Sequence, residues 1–143
     1  MLFRSAFMTE GKTEKPYYFR IDRIRQLTVH RKNFTAEDTH HFDEGLLRRR
    51  SLFMWPGPLR TIRFEFTGPS VQAVLDKLPT ANIIDRSTTA EGKPLYLIEA
   101  ETYGNGIKMW LLSQGSWVKV TSPEEFMEEM KKEIRRMAQI YSL

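Results

Sequence analysis

The densest run of basic side chains in the sequence is Arg48-Arg49-Arg50. Arginine recognises phosphate well because its planar guanidinium donates two parallel hydrogen bonds to phosphate oxygens. On a helix, successive residues point about 100° apart, so one or two of these arginines, but not all three, can reach the same phosphate groove. The run therefore predicts contact with an anionic partner, with Arg48 and Arg49 as the candidates. The alternative is a solvated helix face near a domain boundary.

The distribution of charge favours an anionic partner for the first part of the chain. The net charge of +4 over 143 residues is uneven. Up to Arg63 there are 13 Lys and Arg against 7 Asp and Glu, and from Phe64 onward there are 9 against 11. The basic part thus carries +6 and the remainder −2. Such a surplus is typical of nucleic-acid-binding surfaces, although an ordinary solvated basic surface gives the same count.

Metal, cofactor and catalytic chemistry find little support in the sequence. His40 and His41 stand close to Asp43 and Glu44, but adjacent histidines do not share a helical face and no third spaced ligand follows. The chain has no cysteine, no Ser-His-Asp arrangement and no Gly-rich phosphate loop. We therefore expect no metal, no cofactor and no enzymatic activity. The composition also suits a reducing cytoplasm, and no apolar run approaches the ~18 residues that span a membrane.

The first part of the chain predicts a small β-structure. Residues 2–9 and 17–21 alternate as two strands of a hairpin. The alternation then slips at Asp22-Arg23-Ile24, which predicts a bulge or a 3₁₀ turn, and a third strand is expected over 26–31. Three strands alone rarely close a barrel, so we expect an incomplete one. After it, 35–57 reads as a linker, with a helix over 44–53 that ends at Met54-Trp55-Pro56-Gly57-Pro58.

From Leu59 onward the pattern alternates regularly between strands and helices. Gly115 stands where a helix end favours a left-handed residue, and Ser122 with Glu125 offers a capping box for the last helix. The predicted elements are a strand (60–66), a helix from 69 to 78, strands (81–86 and 94–101), a helix (104–114), a strand (117–121) and a helix (123–141). This β-α-β-β-α-β order with one extra helix predicts an α+β, ferredoxin-like sandwich.

Two stretches resemble one known family. The segment Tyr18-Phe19-Arg20-Ile21-Asp22-Arg23-Ile24 resembles the closing motif of the WYL domain. The segment from Trp110 to Gly115, followed by Trp117-Val118-Lys119-Val120 and Pro123-Glu124, is similar to the signature of the C-terminal extension (WCX) that follows WYL domains. On this resemblance, 1–34 holds the last strands of a truncated WYL domain, which is an Sm/SH3-like barrel. Residues 35–57 form the linker with a short helix, and 58–143 form the ferredoxin-like extension.

The resemblance implies a role as well as a fold. WYL proteins are mostly bacterial transcriptional regulators, in which the WYL domain senses a ligand, best supported as single-stranded nucleic acid, and the extension contributes to dimerisation. We therefore expect single-stranded DNA or RNA as a partner and a homodimer in the cytoplasm. Duplex DNA would be bound only through a helix-turn-helix domain that this chain lacks. The expected nucleic-acid or ligand contacts are Tyr18, Arg20, Arg23, Arg48 and Arg49.

Some of these residues, and the function itself, have an alternative interpretation. Arg23 could instead form an ion pair with Asp22 or a neighbouring carboxylate. Trp55 and Trp117 are expected at an interface, since Trp117 has the outward parity of its strand, whereas Trp110 is expected in the core. The alternative function is a protein–protein interaction and oligomerisation module without ligand binding.

Overall fold

The computed structural model describes residues 5–8, 17–29, 31, 49–50, 52–53, 55 and 57–142. Within them lie a two-stranded sheet and, from Leu59 onward, a four-stranded antiparallel sheet with three helices. The predicted α+β class is therefore confirmed. In the described part, no helix is both long enough and apolar enough to cross a membrane.

The first sheet is the predicted hairpin. Strands β1 (Ser5–Met8) and β2 (Tyr17–Arg20) pair antiparallel, with Ser5 opposite Arg20 and Met8 opposite Tyr17. A 3₁₀ helix follows directly at Ile21–Arg23, which confirms the turn that the slipped alternation predicts.

The third strand predicted over 26–31 is wrong. Residues 26–29 and Arg31 have no strand structure, and Leu27 and Val29 are 77% and 84% exposed. A strand forms when a neighbouring strand accepts its backbone hydrogen bonds and its apolar face is covered. Among the described residues, no strand pairs with this segment. The apolar alternation therefore does not produce a strand here.

The helix predicted over 44–53 runs too far. Arg49 and Arg50 are helical, but Leu52 lies in a bend and Phe53 in a turn with a φ of 56°. A left-handed residue ends a helix, because the helical hydrogen-bond ladder cannot continue through it. The remainder of that prediction lies outside the described residues.

Strand β3 (Leu59–Phe66) is the central strand of the core. Its alternation buries Ile62, Phe64 and Phe66, as predicted, while Thr61 and Arg63 are exposed. Because successive strand residues point to opposite faces, one face of β3 is apolar and the other polar.

Helix α1 (Val71–Lys77) and strand β4 (Asn82–Thr88) follow β3. Ser70 caps α1, since its hydroxyl accepts a hydrogen bond from the Ala73 N–H at 3.3 Å. Val74 is buried in the helix, and Leu78 is buried just beyond it. A turn at 89–93 then leads into β5 (Pro94–Tyr103), which buries Ile98, Ala100 and Thr102.

Helix α2 (Gly106–Ser113) buries Ile107, Trp110 and Leu111, the face predicted from their spacing. Gly115 has a φ of 61°, so the left-handed glycine predicted at the helix end is confirmed. A 3₁₀ turn (Gly115–Trp117) then leads into β6 (Val118–Ser122).

Helix α3 (Glu124–Ile140) begins without the predicted capping box. Ser122 is the last residue of β6 and lies opposite Arg63, so it belongs to the sheet. Pro123 occupies the cap position, with no side-chain cap hydrogen bond. The helix buries Phe126 and Met130, whereas Ile134, Met137 and Tyr141, which continue the same stripe, are exposed.

The second sheet has the strand order β4-β5-β3-β6, with every neighbouring pair antiparallel. Strands β3 and β4, joined through α1, are therefore parallel to each other with β5 between them. Strands β5 and β6, joined through α2, are parallel with β3 between them. Side chains from all three helices join one hydrophobic core with β3 and β5. The opposite face of the sheet has no helix from the described part of the chain over it.

Candidate functional site

The segment that follows β2 presents exposed cations. Arg23, Arg25 and Arg31 are exposed, and none forms an ion pair with a described residue. The predicted contacts Tyr18 and Arg20 lie in β2, with side chains outside the described residues. Of the predicted set in this half, the structure thus places Arg23 on an accessible surface, and it adds Arg25 and Arg31 to it.

The arginine run does not act as one surface. Arg49 is helical and exposed, while Arg48 lies outside the described residues. Arg50 is turned toward the second sheet, where its Nη2 donates to Glu101 Oε2 at 2.5 Å. The side chain of Arg50 is 19% exposed and that of Glu101 42%, so the arginine is largely removed from solvent while the carboxylate is not. Among the described residues of the run, Arg49 is therefore the one that stays accessible, and its contact with phosphate stays a prediction.

Charges on the open face of the sheet neutralise one another across strands. Arg63 Nε donates to Glu99 Oε2 at 2.7 Å, and Lys119 Nζ lies 3.4 Å from Glu65 Oε2. Both pairs stand directly opposite in the strand register. Cross-strand pairs of opposite charge stabilise a sheet and leave little net field for a polyanion.

The helical side is held together by a second charge cluster. Arg60 Nη1 donates to Glu129 Oε1 at 2.7 Å, and Lys108 Nζ lies 3.8 Å from Glu129 Oε2. The guanidinium carbon of Arg60 also lies 5.7 Å from the centre of the Phe126 ring. This cluster links β3, α2 and α3 and engages two cations, so it is structural.

An exposed apolar stripe continues along the second half of α3. Ile134 and Met137 are 52% and 39% exposed, and Ile140 and Tyr141 are more exposed still. Exposed cations lie on other faces of the same helix, namely Lys132, Arg135 and Arg136. A run of large apolar side chains on one helix face is typical of an interaction surface.

The two tryptophans predicted at an interface are both exposed. Trp55 is 46% and Trp117 is 49% exposed, whereas Trp110 is buried at 7%. The Trp110 ring packs edge-on against Phe64, with centroids 6.2 Å apart and an interplanar angle of 68°. Trp117 lies in the 3₁₀ turn, where its carbonyl accepts a hydrogen bond from the Thr67 N–H at 2.9 Å. An interface at Trp55 and Trp117 stays a prediction.

Two exposed carboxyls in the described part of the chain have a lowered pKa. The hydrogen bond from the Thr89 side chain lowers the pKa of Glu91, and the hydrogen bond from Lys131 lowers the pKa of Glu128. The cluster of His40, His41, Asp43 and Glu44 lies outside the described residues. Within the described ranges, no group of three or more His, Asp or Glu side chains could hold a metal ion.

The sequence did not predict the contacts that the residues before β3 make with the start of α2. Leu52 belongs to the hydrophobic core, and its carbonyl packs against Gly106 at the start of α2. A Cβ at Gly106 would overlap the Leu52 carbonyl oxygen and lie 2.8 Å from its carbon. The pair Gly104 and Gly106 was the available signal, because glycines at a helix start often mark a close backbone approach.

The comparison with known families agrees with this architecture. The WCX domain matches residues 58–138, which is more than half of the chain and spans β3 to α3. No curated protein matches the sequence. The matched range contains the four-stranded sheet, the first two helices, all but the last two residues of α3, and every core residue except Leu52. The chain therefore belongs to the WCX domain family, the C-terminal extension of WYL-domain regulators.

Proposed function

We propose that this chain is the regulatory region of a bacterial transcriptional regulator, non-enzymatic and cytoplasmic, and that it works by dimerisation. The observation that carries the proposal is the exposed apolar stripe of α3 on a domain of the WCX family. The proposal assigns the second half of α3 to contact with a second copy of the chain.

The proposal includes a ferredoxin-like sandwich for the second sheet and an Sm/SH3-like, partial WYL barrel for the hairpin. The strand order β4-β5-β3-β6 and its two interleaved β-α-β units support the first assignment. The antiparallel pair β1–β2 and the 3₁₀ corner after it support the second.

The dimer interface rests on the geometry of α3. Phe126 and Met130 are covered by the chain's own core, but Ile134 and Met137 continue this stripe beyond it. In a symmetric dimer both copies present the same patch, so one apolar stripe can cover its counterpart. Lys132, Arg135 and Arg136 lie on other faces of the helix, so they stay solvated when the stripe is covered.

Light scattering over a range of protein concentrations tests the dimer. We expect the mass of two chains for the wild type. Ile134→Glu should weaken association at least tenfold, because it places charge in an apolar interface. Ile84→Glu is the matched control, since Ile84 is similarly exposed on the edge strand β4. A wild-type protein that remains a monomer at every concentration contradicts the proposal.

Single-stranded nucleic acid is the second candidate partner. Arg23, Arg25 and Arg31 form a short exposed basic stretch whose members have no ion-pair partner among the described residues. The guanidiniums of these three arginines are the proposed binding groups for the phosphates of the nucleic acid, and Arg49 adds a fourth exposed cation. Tyr18, Arg20 and Arg48 complete the proposed contact set.

Fluorescence anisotropy with a labelled oligo-dT strand tests this candidate. With three phosphate contacts, affinity should fall roughly 20-fold between about 50 and 200 mM salt. Arg23→Ala should weaken binding, whereas Arg63→Ala should not, because Glu99 already neutralises Arg63. If the wild type does not bind at low salt, the interaction module without a ligand is the better description.

A further inference from the structure

The residues before β3 are held on the second sheet by a set of specific contacts. We use the name strap for the described residues that precede β3, namely Arg50, Leu52, Phe53, Trp55, Gly57 and Pro58. The first anchor is the ion pair from Arg50 to Glu101 in β5. The second is Leu52, whose side chain is only 8% exposed and lies in the core with Ile107 and Trp110.

Backbone contacts supply the third anchor. The Gly104 N–H donates to the Pro58 carbonyl at 3.0 Å, and a Cβ at Gly57 would lie 2.5 Å from Gly104 Cα. Together with the Leu52 carbonyl at Gly106, these contacts all fall on the end of β5 and the start of α2. The strap therefore fits a surface shaped for it, and its position is linked to one end of the domain.

Two features of the strap oppose its docked position. Phe53 has a φ of 56°, a left-handed conformation that a large side chain rarely adopts. Its ring gains little packing in return, since it is 52% exposed. Lys77 Nζ lies 5.4 Å from the ring centre, and this exposed cation–π contact offsets only part of the strain. The Nε of Arg50 is also buried, with no hydrogen-bond partner among the described residues. Backbone strain and an unsatisfied donor persist only when the surrounding contacts outweigh them.

We propose that the strap is a reversible latch, which opens as one unit while the four-stranded sheet stays folded. In the docked state, Arg50, Leu52 and Pro58 fix the chain before β3 to the end of β5 and the start of α2. In the open state, Phe53 leaves the left-handed conformation and Arg50 becomes available to solvent. This inference goes beyond the proposed dimer: it gives the domain a two-state element that a change in the preceding chain can bias.

Native-state hydrogen exchange on the full chain tests the latch. The Trp55 N–H, bonded to the Leu52 carbonyl, and the Gly104 N–H, bonded to the Pro58 carbonyl, report on docking. We expect both amides to be protected relative to an unstructured chain and to exchange through one shared opening. That opening should be at least tenfold more frequent than the opening of the β3–β5 ladder.

Substitutions test whether the Arg50 ion pair and the strain at Phe53 control the opening of the strap. Glu101→Gln should speed exchange at both amides about tenfold, because it leaves Arg50 without its charged partner. Glu99→Gln is the matched control on the same strand, since its partner Arg63 is half exposed. Phe53→Asn should slow exchange at both amides, because Asn tolerates the left-handed conformation that strains Phe53.

Three results would overturn the latch. If the two amides exchange at the rate of an unstructured chain, the strap is not docked. If they exchange only with the β3–β5 ladder, the strap does not open separately. If Glu101→Gln behaves as Glu99→Gln does, the Arg50 ion pair does not hold it.

Discussion

Arg60 on β3 donates a 2.7 Å hydrogen bond to Glu129 on α3, which fixes the last helix to the central strand of the sheet. Both side chains are largely buried, at 22% and 27% exposure, so solvent screens their attraction only in part. Lys108 of α2 approaches the same carboxylate. One carboxylate thereby joins three elements at the place where α3 leaves the core.

Removing the charge of Glu129 should destabilise the fold. Glu129→Gln leaves Arg60 and Lys108 facing an uncharged group, and we expect a loss of roughly 1–2 kcal/mol in the free energy of unfolding. Urea denaturation measures the loss as a lower midpoint with an unchanged slope. Glu128→Gln serves as the control, because Glu128 pairs with Lys131 on the exposed side of the helix. Equal midpoints for the two variants would refute the structural role of Glu129.

The left-handed conformation of Gly115 predicts a second stability effect. A Cβ at this position would meet no atom within 4 Å, so its cost is conformational and not steric. With a φ of 61°, Gly115→Ala should lower the free energy of unfolding by about 1–2 kcal/mol. Gly115→Asn should lose less, because Asn enters the left-handed region more readily. Thermal unfolding of both variants measures the difference, and equal losses would contradict the explanation.

The sequence predicts those parts of the fold that local patterns determine. The alternation of Ile62 and Phe64 identifies β3, and the spacing of Ile107, Trp110 and Leu111 identifies the buried face of α2. Apolar residues recur every second position in β3 and every three to four positions in α2, as the two kinds of element require. These same residues are buried in the core, so both predictions are confirmed.

Local sequence patterns do not predict features that depend on residues far away in the chain. Ser122 is a good helix cap by type, but its pairing with Arg63 across the sheet keeps it in β6. Leu27 and Val29 alternate as in a strand, yet no described strand pairs with them. The candidate site divides in the same way: Arg49 is exposed, while Glu101, 51 positions from Arg50, removes that arginine from the basic run.

Titration of Glu91 provides a test of the turn before β5. The Thr89 side-chain hydrogen bond lowers the pKa of Glu91 in the folded chain. A carboxyl with a lowered folded pKa stabilises the fold above its unfolded pKa, and this contribution is lost as pH falls through the folded value. Thr89→Val should therefore raise the pKa of Glu91 toward its ordinary value and weaken this pH dependence. Carboxyl-carbon NMR measures the pKa directly. Thr88→Val, one residue earlier, should leave it unchanged, and a shift of similar size in that variant would implicate the turn as a whole.

The two tryptophans near the end of the sheet should differ sharply when truncated. Trp110 is buried against Phe64, so Trp110→Ala should cost about 3 kcal/mol or more, because the cavity it leaves is only partly filled. Trp117 is half exposed, and the bond that it accepts from Thr67 involves its backbone carbonyl, which alanine retains. Trp117→Ala should therefore change the free energy of unfolding by less than about 1 kcal/mol. Chemical denaturation at a concentration too low for association measures both values.

If Trp117 contributes to an interface, the free energy of unfolding that Trp117→Ala loses becomes larger when the protein concentration is raised, since binding stabilises only the folded chain. A loss for Trp117→Ala as large as that for Trp110→Ala at low concentration would show instead that Trp117 belongs to the core.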